Sequence, residues 1–372
     1  LNWLALTDLA PSGQFLIPLL GATKTPVLLA AVGYALFGTG LEIAGITATK
    51  VIARWFKGYE MALAMGLQVA VARLGTALAL GASAPLAAAF RVSTPVLVGV
   101  LLLGAGLVAF LVYCTMDRRL EASTPEAKTA ASPDEAFRLA DIGQILRNRG
   151  FWYIATLCAL FYSAVFPFLK YATDLMVQKY GVDEELAGLI PAMLPFGTML
   201  LTPVFGRLYD KRGKGASIMI LGSLLIILVH VLLALPMLTW WPIAVVAMLI
   251  LGVGFSLVPS AMWPSVPKLI PERQLGTAYA LIFWLQNLIA LTLVPFGIGK
   301  VLDGFCITGR TTVPQTIDGV LRDVEIVQYD YTLPMAIFVG FGLLAVVFAL
   351  LLKREDRRQG YGLEQPSKVV GA

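Results

Sequence analysis

The chain has 372 residues, of which 58% are hydrophobic and only 14% are charged, and its mean hydropathy is +0.80. This composition indicates a protein that crosses a membrane several times and excludes an ordinary water-soluble domain. The formal net charge is +5. Because the cytoplasmic loops of such proteins collect Lys and Arg, the positive charge is explained without nucleic acid as a partner.

The sequence contains no arrangement that is typical of an enzyme or of a cofactor site. Cys114, Cys158 and Cys306 are far apart and predict neither a disulfide nor a metal site. No nucleotide-binding loop, metal-ligand cluster or nucleophile arrangement is present, so we predict that the protein is not an enzyme. The chain begins with leucine and has no basic region or cleavage site of a signal peptide, which indicates a chain that starts inside a membrane protein.

Ten apolar stretches are long enough to be membrane segments. The first contains Asp8 and is interrupted by Pro11 and Gly13, so we expect a broken or partial span there. The predicted segments are residues 1–22, 27–53, 60–84, 94–116, 151–175, 186–206, 217–237, 242–267, 275–300 and 334–352.

The distribution of basic residues predicts which loops are cytoplasmic. When the segments alternate across the membrane, most Lys and Arg residues fall on one side, and the positive-inside rule makes that side cytoplasmic. The groups on this side are Arg54 with Lys57, Arg118 to Arg149, Arg207 to Lys214, Lys268 with Arg273, and the chain from Lys353 onward.

A long polar stretch divides the chain. Ser132, Pro133 and Glu135 form a helix start, and the apolar residues that follow predict a short helix along the membrane surface. The expected organisation is an N-terminal bundle in residues 1–116, a cytoplasmic linker in 117–150, a six-helix bundle in 151–354 and a cytoplasmic tail in 355–372.

Two opposite charges lie near the middle of successive predicted spans, Glu42 and Arg73. A charge at the bilayer centre costs about 3 kcal/mol on insertion scales, so it is retained where it faces a cavity or a partner. Small residues at helical spacing, such as Gly38 and Gly45 beside Glu42, leave room for a ligand or for a neighbouring helix. The pair predicts a binding site, and a permanent structural ion pair is the alternative.

A loop after the sixth segment resembles the loop signature of the major facilitator superfamily. Its residues are Gly206, Asp210, Lys211, Gly213 and Lys214. The resemblance implies an all-α membrane protein with two six-helix bundles that change conformation through this loop. It also implies that two helices of the N-terminal bundle lie upstream of residue 1.

Further signatures resemble the lysosomal dipeptide carriers called major facilitator superfamily domain-containing protein 1, and their bacterial relatives. They occur at residues 37–42, 55–58, 66–68, 72–75, 164–168, 203–206, 230, 263–264, 271–279 and 286–287. The similarity implies secondary transport of dipeptides, with Glu42 binding the substrate ammonium and Arg73 its carboxylate. We expect a monomer without a cofactor. Whether an accessory subunit binds to it is left open.

Several other residues are candidates for the site, each with a structural alternative. Tyr162, Trp263, Gln286 and Asn287 are predicted to line the C-terminal half of the cavity, although aromatic residues in membrane helices also serve as packing and interfacial anchors. Lys170 and Asp174, four residues apart, predict an exposed helical pair, with an outer gate as the alternative.

Asp8 and His230 are the further candidates for proton coupling, since histidine titrates near neutral pH. A histidine ring that bonds to a neighbouring helix is the alternative for His230, and uniport is the alternative to proton coupling.

Two other functions remain open at this stage. One is a carrier of organic anions or other small metabolites in which Arg73 binds the substrate and Glu42 is structural. The other is a membrane receptor or scaffold that transports nothing. The alanine-rich composition, which is typical of bacterial proteins, favours a plasma (inner) membrane over a lysosomal one.

Overall fold

The computed structural model of the protein describes residues 2–7, 13–17, 21–55, 61–123, 139–271, 274–317 and 320–366. Within these ranges, nine helices are long and apolar enough to cross a membrane. They correspond to the second to tenth predicted segments. The prediction of a multi-pass, all-helical membrane protein is therefore confirmed.

The chain forms two compact units. Unit 1 comprises Leu1–Ala72, Ala82–Ala130 and Gln315–Arg322. Unit 2 comprises Arg73–Gly81, Ala131–Pro314 and Asp323–Ala372.

Unit 1 contains the elements before the polar linker. They are α1 (Asn2–Ala5), β1 (Gln14–Ile17), β2 (Gly21–Lys24), α2 (Thr25–Trp55), α3 (Met61–Ala89, of which Arg73–Gly81 belong to unit 2) and α4 (Thr94–Ser123). A helix pairs most backbone N–H and C=O groups within one segment, which is what a hydrocarbon environment demands of the apolar runs in α2 to α4.

The first predicted segment does not form one continuous span in the described residues. A one-turn helix, α1, is followed by the antiparallel strands β1 and β2, in which Gln14 pairs with Lys24 and Ile17 with Gly21. Pro11, which is predicted to interrupt this segment, lies outside the described residues.

Unit 2 contains the remaining helices and a β-hairpin. They are α5 (Leu139–Arg147), α6 (Arg149–Tyr180), α7 (Glu184–Ala187), α8 (Leu189–Arg212), α9 (Gly215–Ala234), α10 (Trp241–Leu269), α11 (Leu275–Gln286), a π-helix (Asn287–Leu293), α12 (Val294–Phe305), β3 (Ile307–Ile317), β4 (Val320–Tyr329) and α13 (Thr332–Gln359). α9 packs on α10 and α13, α10 packs on α8, and α6 packs on α13. α6 contributes much of the buried core.

Glycines allow the closest of these contacts. A Cβ added at Gly222 on α9 would lie 3.0 Å from the carbonyl oxygen of Gly254 on α10, and one at Gly254 would lie 3.0 Å from the oxygen of Gly222. Small residues at such crossings let two helix backbones approach closely. The close packing stabilises the helix pair in lipid, where the hydrophobic effect contributes little to helix association.

The short helix predicted ahead of the fifth segment is present as α5, whereas its predicted start at Ser132 and Pro133 lies outside the described residues. Ile145 of α5 is buried. The next residue after the helix, Asn148, accepts a hydrogen bond from the Phe151 amide at 3.2 Å and donates one to the Leu269 carbonyl at 2.9 Å. Asn148 therefore caps α6 and ties its start to the end of α10.

The loop between α8 and α9 is held by residues 360–366, here called the C-terminal strap. Gly213 has φ 65° and Lys214 has φ 61°, so two consecutive residues take left-handed backbone angles. The Lys214 amide donates to the Glu364 carbonyl at 3.0 Å and the Gly215 amide donates to the Leu363 carbonyl at 2.9 Å. The strap thus satisfies N–H groups that the first turn of α9 leaves without a helical partner.

The carboxylate of Glu364 anchors the same contact. It accepts hydrogen bonds from the Ser217 amide at 3.0 Å and the Ser217 hydroxyl at 2.7 Å, and Lys353 lies 3.5 Å away. Burial by itself would raise the pKa of the Glu364 carboxyl, but the two hydrogen bonds from Ser217 and the charge of Lys353 outweigh it and lower the pKa below its usual value.

We expect Gly213→Ala to destabilise the protein by about 1–3 kcal/mol, because the left-handed angle is strained for alanine. Its Cβ would also lie 2.3 Å from a backbone atom of Gln365 in the strap. Thermal unfolding in detergent measures the loss. Gly206→Ala in the same loop signature is the control, since a Cβ there meets no atom within 4 Å. Equal unfolding temperatures for both variants would contradict the account of the strap.

We expect the contribution of Glu364 to stability to depend on pH with a definite sign. Because its pKa is lowered in the folded protein, the contribution is present above the ordinary carboxyl pKa and disappears as the pH falls through the folded value. Glu364→Gln should therefore lower the unfolding temperature near neutral pH, and this effect should disappear once the pH is below the lowered pKa of the folded protein.

Glu325→Gln serves as the control for this measurement. Glu325 pairs with Arg310 at 3.2 Å on the hairpin, where both side chains are more than half exposed. Such surface pairs contribute little to stability, so Glu325→Gln should leave the pH profile unchanged. A Glu364→Gln effect that persists at low pH would contradict a charge-based role.

Candidate functional site

Arg73 is placed against an aromatic cluster in unit 2. It lies on α3 and is partly buried, and its guanidinium carbon is 5.4 Å from the centre of the Phe255 ring on α10. Ala77, one turn along α3, is buried. The arginine thus has a cation–π contact with a buried ring.

Phe255 belongs to a set of four rings. Phe161 stacks on it with centres 5.7 Å apart and planes 4° apart, and Tyr162 meets it edge-on at 5.6 Å. Tyr162 also stacks with Phe166 at 5.0 Å, because the two residues are four apart and share one face of α6. Tyr162, a predicted site residue, is therefore buried and lies next to the ring that contacts Arg73.

Gln286, a second predicted site residue, reaches the same face of α6. Its side-chain oxygen accepts a hydrogen bond from the Cys158 thiol at 3.4 Å, and Cys158 precedes Tyr162 by one helical turn. Gln286 is the last residue of α11, and Asn287 begins the π-helix that follows. A π-helical segment carries one more residue per turn than an α-helix and is frequent at functional sites.

Trp263 faces the site from α10. It is partly buried against the core of unit 2, and its ring stacks on Phe283 with centres 4.8 Å apart. The Tyr279 hydroxyl donates to the Trp263 carbonyl at 3.1 Å. Pro264 and Pro267 interrupt the backbone hydrogen bonds of this part of α10, so a side-chain donor for the Trp263 carbonyl compensates for a lost backbone bond.

Glu42 lies in unit 1, on α2, and its side chain is exposed. A Cβ added at Gly38 or at Gly45, one turn before and three residues after Glu42, would meet no atom within 4 Å. The joint role of Glu42 and Arg73 stays a prediction.

His230 is fully buried in the core of unit 2. Its Nε2 is 2.8 Å from the Ala164 carbonyl oxygen on α6, and its ring lies 5.2 Å from those of Phe168 and Phe338. This is the hydrogen bond to a neighbouring helix that the structural alternative predicts. Pro167 on α6 lacks an N–H and cannot bond to the Ser163 carbonyl, and the imidazole donates to the adjacent carbonyl of Ala164.

The other candidates lie elsewhere. Asp8 falls outside the described residues, and His230 and Asp8 as proton carriers stay predictions. In the loop signature Gly206, Asp210 and Lys211 lie within α8, and Gly213 and Lys214 form the turn that follows.

The predicted Lys170–Asp174 pair is wrong for the described residues. The Asp174 carboxylate instead accepts hydrogen bonds from Gln178, at 2.8 Å, and from the Tyr331 hydroxyl. Tyr331 follows the hairpin, so this contact fastens β4 to α6. Burial and the Asp174 carboxylate raise the pKa of the Tyr331 hydroxyl, which is therefore protonated and can donate.

Sequence reasoning missed Phe255 and Cys158. Both are apolar or weakly polar residues inside long apolar helices, and nothing in their local pattern distinguishes them from core residues. The single available signal was the charge of Arg73, which requires some partner in the membrane without saying which one.

Comparison with protein families matches residues 9–294 to the Major Facilitator Superfamily. Among curated relatives, the lysosomal dipeptide transporter MFSD1 of Gallus gallus is 29% identical over 294 residues, which is 76% of this chain and 64% of the relative. The Danio rerio protein is 30% identical over 76% of this chain and 62% of the relative. The Homo sapiens protein is 29% identical over 76% of this chain and 61% of the relative. The chain thus spans less than two thirds of these relatives.

Two solved structures align with part of the chain. A mutant of the nucleoside transporter NupG aligns with a TM-score of 0.47 and 14% identity over 61% of this chain and 54% of that chain. A mutant of the peptide transporter POT in complex with alafosfalin aligns with a TM-score of 0.44 and 16% identity over 59% and 40%.

These comparisons confirm the family that the loop and the scattered signatures predicted. The matched family and the named relatives are transporters, which agrees with the prediction that the protein is not an enzyme. The relatives are named lysosomal and give no support to the predicted plasma membrane location.

We expect His230→Leu to destabilise the protein by about 1–3 kcal/mol, because a buried carbonyl loses its side-chain partner. His230→Gln retains an N–H donor and should lose less. The measurement is thermal unfolding, with Ser223→Ala on the same helix as the control, since that hydroxyl donates within α9 to Met219 at 2.9 Å. Equal losses for His230→Leu and His230→Gln would show that the hydrogen bond is unimportant.

Proposed function

Because the chain belongs to the Major Facilitator Superfamily, we propose that the protein is a secondary transporter that carries dipeptides across a membrane by alternating access. The observation that carries the proposal is Arg73, a cation in a membrane helix that lies against buried aromatic side chains. The relatives named lysosomal dipeptide transporters support the choice of substrate.

Arg73 is suited to bind the carboxylate of a dipeptide. Its guanidinium presents a planar set of N–H donors that matches the two oxygens of a carboxylate. The charge is costly in a membrane unless it has a partner, and an anionic substrate provides one while the site is occupied.

Glu42 is proposed to bind the ammonium group at the other end of the substrate. It is an exposed acidic residue on α2, with the small residues Gly38 and Gly45 at helical spacing from it. Recognition through the two charged termini leaves the substrate side chains unconstrained, so a carrier of this type accepts many dipeptides.

Tyr162, Trp263, Gln286 and Asn287 are proposed to line the C-terminal half of the substrate cavity. They come from α6, α10, α11 and the π-helix. Indole, hydroxyl and amide groups can bond to the peptide group of a substrate.

The proposed function is tested with three ligands: a simple dipeptide, its N-acetylated form and its C-amidated form. A ligand that binds the folded protein raises the unfolding temperature by mass action. We expect the free dipeptide to stabilise the purified protein and both blocked forms to bind much more weakly, because each lacks one of the two charged termini.

Matched variants assign the two charges. Arg73→Gln and Glu42→Gln should each abolish stabilisation by the free dipeptide, whereas Arg310→Gln on the exposed hairpin should retain it.

Stabilisation by simple monocarboxylates without any effect of dipeptides would replace the proposal with an organic-anion carrier. If the protein shows no substrate-dependent flux in proteoliposomes but still binds a protein partner, a receptor or scaffold is favoured.

A further inference from the structure

We propose that Phe255 is a positioning residue that holds the Arg73 guanidinium in place for the substrate carboxylate, an inference that rests on the proposed function. The ring centre lies 5.4 Å from the guanidinium carbon, within the range of a cation–π contact. Phe255 does not have to touch the substrate in order to act in this way.

The ring is a rigid support. Phe255 is only 2% exposed, and it is enclosed by Phe161 on one side and by the edges of Tyr162 and Phe166. The backbone just before it is equally constrained, because Gly252 approaches α8 and Gly254 approaches α9. A ring packed on all these sides has no other position to adopt.

An aromatic ring is a better support for this purpose than a carboxylate would be. A protein carboxylate would compete with the substrate for the N–H donors of Arg73, and binding would first have to break that ion pair. A ring attracts the cation through its quadrupole and leaves the donors in the guanidinium plane available for a carboxylate. The arginine is thereby oriented before the substrate arrives.

The contact also limits the motion of a long side chain. Arginine loses considerable rotamer entropy when it is ordered, and that cost falls on binding if the free side chain is mobile. If Phe255 orders Arg73 beforehand, the loss of the ring should weaken carboxylate recognition and leave the other contacts of the substrate unchanged.

The test compares affinities for a free dipeptide and for its C-amidated form in the purified protein in lipid nanodiscs. We expect Phe255→Leu to reduce the ratio of the two affinities about 3- to 30-fold, because a cation–π contact of this kind contributes that much to binding. Phe255→Tyr, which keeps the ring, should retain the ratio to within about 2-fold.

Phe338→Leu is the matched control. Phe338 is also fully buried, but its ring contacts Phe168 and His230 rather than Arg73. Phe338→Leu should lose stability, because it also removes a ring from the core. Its ratio of affinities for the free and the C-amidated dipeptide should stay that of the wild type.

Replacement of Phe255 by trifluorophenylalanine keeps the shape of the ring and weakens its quadrupole, so it tests the contact even if Phe255→Leu does not fold. A reduced ratio in the fluorinated protein supports the proposal. An unchanged ratio in Phe255→Leu or in the fluorinated protein, while the wild type still prefers the free dipeptide, overturns the role of Phe255 alone. A wild type that binds both ligands equally overturns the proposed function, and this inference with it.

Discussion

The hydrocarbon core of a membrane offers no hydrogen-bond partners, so each polar group inside it has to find one within the protein. Serines on the long helices meet this demand locally, as Ser256 does by donating to the Gly252 carbonyl one turn earlier. Groups that cannot bond within their own helix pair across helices, and the contact of His230 with Ala164 and that of Cys158 with Gln286 are two examples. These contacts fix how α6 packs with α9 and α11.

Arg73 is subject to the same constraint and meets it differently. Its charge is stabilised by an aromatic ring, which offsets part of the desolvation cost without using the N–H donors. A side chain that is ordered but still able to bind an anion is what a carrier needs, because the substrate has to be released again on the other side of the membrane. The π-helix next to Gln286 and the prolines of α10 place irregular backbone beside this cluster.

The loop between α8 and α9 shows how a short segment can depend on a distant one. Its two left-handed residues, Gly213 and Lys214, are stabilised by backbone hydrogen bonds from the loop and the start of α9 to residues 363 and 364. Glu364 adds charged contacts to Ser217 and Lys353. The strap therefore joins the end of the chain to the signature loop, and any movement of that loop has to rearrange these contacts.

The sequence by itself determined the membrane class, the family and nearly all of the long helices, because apolar length is a local property that hydrocarbon thickness selects. It also singled out Arg73 and Glu42, since a charge in an apolar run is conspicuous. Only the tertiary structure decided that Phe255 lies beside Arg73 and that Asp174 bonds to Tyr331 instead of Lys170. These outcomes depend on which residues of distant segments meet, and helical periodicity carries no information about that.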